Sequence, residues 1–204
     1  MTMNPTIELV AFDLGNVLCS VNEVPASEKL ASLSNRPVDE VHEVVFGKAR
    51  KALFETATMT FSEHAERAIA MLDIPMTVEE FTKLYDSVLI PTQSMYPLVA
   101  RIADNYQIAL VSNTSEPHWL AAKRFLPFSS QLNPVIVSYE VDVMKPDRAF
   151  YDALLAQSQI PAENVLFIDD LPENIEAARK TGMNVHHFTG QPALESVLTE
   201  LGII

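Results

Sequence analysis

The sequence predicts an α/β protein: a parallel sheet of five strands with helices on both faces, and a helical segment inserted after the first strand. Three observations carry this expectation. An apolar run from Ile7 to Phe12 has the composition of a strand covered on both sides. Between Ser20 and Ile90 no comparable strand follows, and the apolar residues fall at helical spacing. From Pro91 onward strand-like and helix-like segments alternate, the pattern of strand–helix–strand units in a parallel sheet.

The elements follow in order. Met1 to Pro5 reads as a loose end, and Ile7 to Phe12 as the first strand. Pro37 and Gly47 bracket Val38, Val41, Val44 and Val45 on one helical face. Thr60 and Glu63 form a capping box ahead of the stripe Phe61, Ala65, Ala68, Ile69 and Leu72. Thr77 and Glu80 form a second, with Met76 and Phe81 placed as a hydrophobic staple. Met95 to Tyr106 is expected as a helix and Gln107 to Val111 as a strand ending at Ser112. Ser115 caps the next helix, which holds Pro117 in its first turn. Val135 to Ser138 is a short strand, and Lys145-Pro146 opens a helix. Val165 to Ile168 is a strand ending at Asp169, after which Asp170 is placed as an N-cap for Pro172 to Thr181. Asn184 to Phe188 and Pro192 to Leu201 close the chain as strand and helix. The expectation is a Rossmann-like core from residues 1–19 and 91–204, and a helical cap from residues 20–90.

Composition narrows the function classes. The 204 residues are 48% hydrophobic, enough for one core and a small lobe. With 14 basic and 27 acidic residues the formal net charge is -13, which argues against nucleic acid and anionic membrane surfaces as partners. Cys19 is the only cysteine, so no intramolecular disulfide can form; a reducing, cytoplasmic location is expected. Cys19 itself reads as a small buried apolar side chain. No apolar run nears the length of a membrane span. Composition leaves the oligomeric state, monomer or dimer, undetermined.

Chemistry concentrates at the strand ends. Asp13, Ser112, Asp169 and Asp170 all follow predicted strands, where open parallel sheets bind ligands. A carboxylate ending a buried strand is costly unless it meets a metal, a lysine or backbone N–H groups. Taken singly, Asp170 reads equally as a helix cap, Ser112 as an ordinary strand-ending turn and Lys145 as a solvated lysine. Two adjacent strand-end acids, Asp169 and Asp170, repel each other and call for a cation.

The set Asp13-Leu14-Gly15-Asn16-Val17, Ser112, Lys145-Pro146 and Asp169-Asp170, in this order, resembles the haloacid dehalogenase-like hydrolase superfamily. Nearest is its Asp-Leu-Gly-Asn-Val branch, which includes sugar phosphatases similar to alpha-glucose-1-phosphatase. The resemblance covers essentially the whole chain. It implies a Mg²⁺-dependent phosphatase of a small phosphorylated metabolite, with Asp13 as the nucleophile. It also implies metal ligands from an Asp13 oxygen, the Gly15 carbonyl and Asp170, with Asp169 bound directly or one layer behind. Lys145 would balance the charge of Asp13 and phosphate. The Ser112 hydroxyl and the backbone N–H groups near Leu14 to Asn16 and at Asn113 would hold phosphate oxygens. Asn174 could order water or stand exposed, and His118 could touch substrate or be structural. Among helical-lobe residues, Phe46, Lys48, Arg50 and Phe54 are candidates for choosing the substrate.

Gly15 is the departure. Most phosphatases of the superfamily carry a second aspartate there, as general acid and then base. Proton transfer of that kind is worth about 10²–10⁴-fold, and here the sequence assigns it to no residue. Asn16 cannot do it, and Glu23, the next acid downstream, has no sequence reason to be in the site. A rate steeply dependent on the leaving group is therefore expected, with an anomeric sugar phosphate preferred over the matching 6-phosphate. Two alternatives stay open: a catalytically silent binding or regulatory protein, and a 2-haloacid dehalogenase. The second has against it the glycine where that pattern carries a tyrosine.

Overall fold

The computed structural model describes residues 6–204, so the loose end expected at Met1 to Pro5 lies outside the described residues. Five parallel strands form the main sheet: β1 (Leu9–Phe12), β4 (Gln107–Ser112), β5 (Leu132–Val137), β6 (Val165–Asp169) and β7 (Asn184–His187). They lie in the order β5-β4-β1-β6-β7. β1 is central, with Phe12 level with Leu110 on one side and Ile168 on the other. The chain leaves β1 toward β4 and β5, then returns to β6 and β7 on the opposite side. That reversal puts the crevice of the sheet beside the carboxyl ends of β1 and β6.

Strand periodicity sorts the core into two layers. Val10, Phe12, Ile108, Leu110, Leu166 and Ile168 face one side, under α6 (Tyr96–Ala103), α7 (Glu116–Phe125) and α11 (Gln191–Glu200). Leu9, Ala11, Ala109, Val111, Val165 and Phe167 face the other, under α9 (Arg148–Ser158) and α10 (Pro172–Lys180). Both faces are covered, which is why the central strands read as unbroken apolar runs.

Five helices lie between the first and fourth strands: α1 (Val24–Ser34), α2 (Val38–Phe46), α3 (Lys48–Glu55), α4 (Phe61–Leu72) and α5 (Val78–Asp86). They close around an apolar cluster of their own that includes Leu30, Val41, Val45, Phe54, Ala68, Phe81 and Tyr85. Both expected capping boxes form, at Thr60/Glu63 and Thr77/Glu80. Among the described residues no helix is long and apolar enough to cross a membrane.

The structure corrects the sequence reading in four places. The stretch before the lobe and the one after it are not strand-free: β2 (Cys19–Val21) and β3 (Leu89–Pro91) pair antiparallel. Each is three residues long, and Ser20, Val21 and Ile90 are exposed, so neither shows an apolar period. β5 begins at Leu132 rather than after Pro134; it is an edge strand, where a residue without an N–H is tolerated. Lys145 does not open a helix: a short α8 (Ser138–Val141) comes first, Lys145 lies in the loop, and Asp147 caps α9 by accepting from the Ala149 N–H at 2.9 Å. Asp170 is not the cap of α10; that place is held by Leu171.

Candidate active site

The site grows from the end of β1. The Asp13 N–H donates to the Ile168 carbonyl at 2.9 Å, which carries the ladder one residue past the strand and fixes the carboxylate beside β6. Lys145 reaches it from the loop before α9. Its ammonium has three donors, and all three are used: Asp13 Oδ1 at 2.9 Å, Asp169 Oδ2 at 2.6 Å and the Val111 carbonyl at 2.8 Å. Lys145 is not a solvated lysine; its side chain is 1% exposed. Asn113 holds its backbone on both sides, accepting from the Lys145 N–H at 2.8 Å and donating to the Lys145 carbonyl at 2.9 Å.

Asp169 is fully buried, and its carboxylate accepts from the Leu171 N–H, the Asn174 side-chain amide and Lys145. Asn174 is thus neither exposed nor aimed at solvent; it orients Asp169. Asp170 turns toward the opening, where the Asn16 amide donates to it at 3.0 Å. Asn16, not Gly15, occupies the left-handed region, with φ 56°, a conformation asparagine tolerates. Asp13, Asp169 and Asp170 each offer an oxygen within 4.8 Å of the others.

Electrostatics follow from this packing. Burial pushes the Asp13 carboxyl up to about 6; Lys145 pulls against that shift and Asp169 adds to it. Burial works to lower the Lys145 ammonium, but Asp13 and Asp169 outweigh it and hold it above its ordinary value. Burial, and Asp13 nearby, drive the Cys19 thiol up to about 12, so it is no thiolate nucleophile.

A cavity of about 520 Å³ opens over these groups. Asp13, Gly15, Asn16, Asn113, Lys145, Asp170 and Asn174 line it from the sheet side. Asp169 lies behind them. The Leu14 side chain is in the core rather than the cavity and its carbonyl accepts from Leu18 and Cys19, while its backbone N–H donates to the Asp13 carboxyl. Ser112 is buried at the end of β4 with its hydroxyl 3.5 Å from the Asn113 carbonyl, next to the lining rather than in it. His118 is displaced further. It is stacked on Tyr85 of the lobe at 4.1 Å, with Nε2 3.2 Å from the Tyr85 carbonyl. Burial lowers its pKa to about 4, and it is a neutral packing residue between lobe and core. Of the lobe residues singled out for substrate choice, Phe46 and Phe54 are buried, and neither they nor Lys48 and Arg50 line the cavity.

The lobe's side of the cavity is built instead by Val21, Asn22, Glu23, Val24, His42 and Lys51. Glu23 takes Lys51 Nζ on Oε1 and His42 Nε2 on Oε2, each at 2.8 Å. Sequence reasoning missed His42 and Lys51 because they sit on the flanks of helices whose apolar stripes gave the only pattern. Glu23 was visible only as an acid eight residues past Gly15.

The fold has relatives among solved structures. A HAD family enzyme of Bacteroides thetaiotaomicron superposes with a TM-score of 0.80 at 21% identity, over 91% of this chain and 95% of that one. The same enzyme in complex with magnesium and inorganic phosphate gives a TM-score of 0.78 at 21% identity, over 91% and 96% of the two chains. A predicted HAD-like family hydrolase of Porphyromonas gingivalis gives 0.77 at 23%, over 95% and 98%. At these identities the likeness shows the fold. A curated relative, a drimenol cyclase of Aspergillus calidoustus, is 29% identical over 91 residues, 45% of this chain; the match spans 17% of that protein's length. The family model for haloacid dehalogenase-like hydrolases matches residues 7–182, from the first strand to the end of the helix after the paired acids. With the sheet order, the strand-end acids and this match in agreement, the chain belongs to the haloacid dehalogenase-like hydrolase family.

Proposed function

We propose that the chain is a Mg²⁺-dependent phosphatase of small phosphomonoesters that works through an aspartyl-phosphate on Asp13. The observation that carries this reading is Lys145, which bridges Asp13 and Asp169 at the floor of a cavity while Asp170 faces the same opening.

The residues fit the ion. Three carboxylates converge, of which only two, Asp13 and Asp169, are paired with the Lys145 ammonium, and hard oxygen donors suit Mg²⁺. Asp169 already accepts from three protein groups, so Asp13, Asp170 and the Gly15 carbonyl are the ligands we assign, with Asp169 behind them. Bound there, Mg²⁺ supplies positive charge to phosphate oxygens. The protein's own groups do the rest. An Asp13 oxygen attacks phosphorus and the bond to the leaving oxygen breaks, giving a mixed anhydride that water then opens. Lys145 balances the carboxylate and the incoming phosphate as a point charge. The Asn113 and Asn16 region bounds the phosphate, and the helical lobe acts as a cap over the leaving group. The likeness to an enzyme crystallised with magnesium and inorganic phosphate supports this reading. The reading needs no nucleic acid or membrane partner, and a single buried cysteine suits the cytoplasm.

The test is phosphate release from a panel of phosphate esters with and without Mg²⁺, with Asp13→Asn as the control. Release that needs both Mg²⁺ and Asp13 is the expected result. Equal turnover by the Asp13→Asn protein would remove Asp13 as the nucleophile. Chloride release from a 2-haloacid in place of phosphate would point to a dehalogenase.

A further inference from the structure

The carboxylate that Gly15 lacks leaves open space. A Cβ at Gly15 would meet only Val21 Cγ2, at 3.6 Å, an ordinary contact. From Val21 the chain runs through Asn22 to Glu23, and all three line the cavity. The gap left by the missing side chain therefore borders the segment that carries Glu23.

The titratable groups in this cavity are few, and most are committed. Asp13 is the attacking group, and Asp170 is turned toward the ion site. Lys145 has all three of its donors in use. Lys51 donates to Glu23. Glu23 is held by two partners at once, which fixes its orientation. That leaves His42, an imidazole on the cavity wall, a group type that can both give and take a proton. Its Nε2 is on Glu23 at 2.8 Å, and among the described residues its Nδ1 has no partner. A carboxylate on one ring nitrogen sets the tautomer and supports the charged ring, while the other nitrogen stays free to exchange a proton.

We propose that His42 is the acid and base for the leaving group in place of the absent residue-15 carboxylate, with Glu23 and Lys51 as its positioning residues. This rests on the phosphatase reading above. In the first step an Asp13 oxygen forms a bond to phosphorus, the bond from phosphorus to the leaving oxygen breaks, and that oxygen takes the Nδ1 proton of the His42 imidazolium. In the second step a water oxygen bonds to phosphorus and gives one proton to neutral His42 Nδ1. The Asp13–phosphorus bond breaks, and the carboxylate, phosphate and imidazolium are restored. The net change is ester plus water to alcohol plus phosphate. The leaving-group dependence is therefore shallower than the missing carboxylate alone implies.

The test is kcat/KM with Mg²⁺ across alkyl and aryl phosphates of graded leaving-group acidity. His42→Ala is expected to lower the alkyl esters by about 10²–10⁴-fold and a nitrophenyl ester far less, through kcat more than KM. Glu23→Gln, which keeps the shape and loses the charge, should give a smaller loss with the same selectivity. Gly15→Asp should restore part of the alkyl activity to the His42→Ala protein. An equal loss across the series, or no loss, would overturn the proposal while leaving Asp13-dependent phosphate release in the parent intact. If the parent releases no phosphate from any ester, both the phosphatase reading and this inference fall together.

Discussion

Asn174 donates through one side-chain amide to both carboxylate oxygens of Asp169, at 3.0 and 3.1 Å, with both side chains buried. Its consequence is stability as well as geometry. A hydrogen bond to a buried charged group is worth about 1.5–3 kcal/mol, and Asn174→Ala should lose about that much in urea unfolding. Lys145 would lose the fixed orientation of its shorter ion pair, so turnover should fall too. An unchanged unfolding midpoint would mean that Leu171 and Lys145 suffice to hold Asp169.

Magnesium should raise the thermal midpoint of the parent, because it binds the folded site and not the unfolded chain. At an ion concentration about a hundred times Kd the gain is about 2.7 kcal/mol. With the ligand set proposed above, Asp170→Asn would remove one anionic oxygen ligand from the opening, so its midpoint should need more Mg²⁺ for the same rise. Superimposable titrations of parent and variant would take Asp170 out of the ion site. This readout is independent of turnover.

The two histidines buried as neutral rings should make stability sensitive to acid. His118 and His64 are each lowered to about 4 from an ordinary value of 6.5, mainly by burial. In that window the unfolded chain binds protons that the folded chain refuses. Their contribution is whole above about 6.5 and is lost as pH falls through about 4, at up to about 1.4 kcal/mol per pH unit for each proton. Asp13 and Asp86, raised to about 6 by burial, act in the opposite direction. The His118 part is therefore read as a difference: the stability of His118→Gln should fall less steeply than the parent's between pH 6.5 and 4. Parallel curves would contradict the buried neutral ring.

Neighbouring positions 15 and 16 should respond differently to alanine. Gly15 is outside the left-handed region and its Cβ site is open, so Gly15→Ala should be neutral or stabilising by about 0.4–1 kcal/mol. Asn16 has φ 56° and an amide on Asp170, so Asn16→Ala should cost about 1–2 kcal/mol from the backbone alone. Thermal unfolding of the two variants decides it.

Much of the core was legible in the chain because its signals are one-dimensional. The apolar run of β1 and the two capping boxes depend on near neighbours only, and the strand-end acids take their positions from the strands. What was not legible depends on partners far away in sequence. Asp170 looks like a cap until Leu171 is seen in that place, and Asn174 looks exposed until Asp169 is found beneath it. Glu23, His42 and Lys51 come from three different helical segments with no shared period. His118, near the start of α7, is open in sequence to either a substrate contact or a structural role, and it is taken up by a stack on Tyr85.

The alternation along β1 has a consequence for how this chain can change. Leu9 and Ala11 feed one layer, Val10 and Phe12 the other, and the count continues past the strand: Leu14 is in the second layer. Asp13 therefore owes its direction to parity. Substitutions in β1 alter volume and leave the direction alone, but one residue inserted or deleted within the strand would exchange the two sides. The carboxylate would then turn under α6 and α11, away from Lys145, and Leu14 after a deletion, or Phe12 after an insertion, would face the cavity. The address of the acid is counted in peptide units, so length here is under stricter constraint than identity.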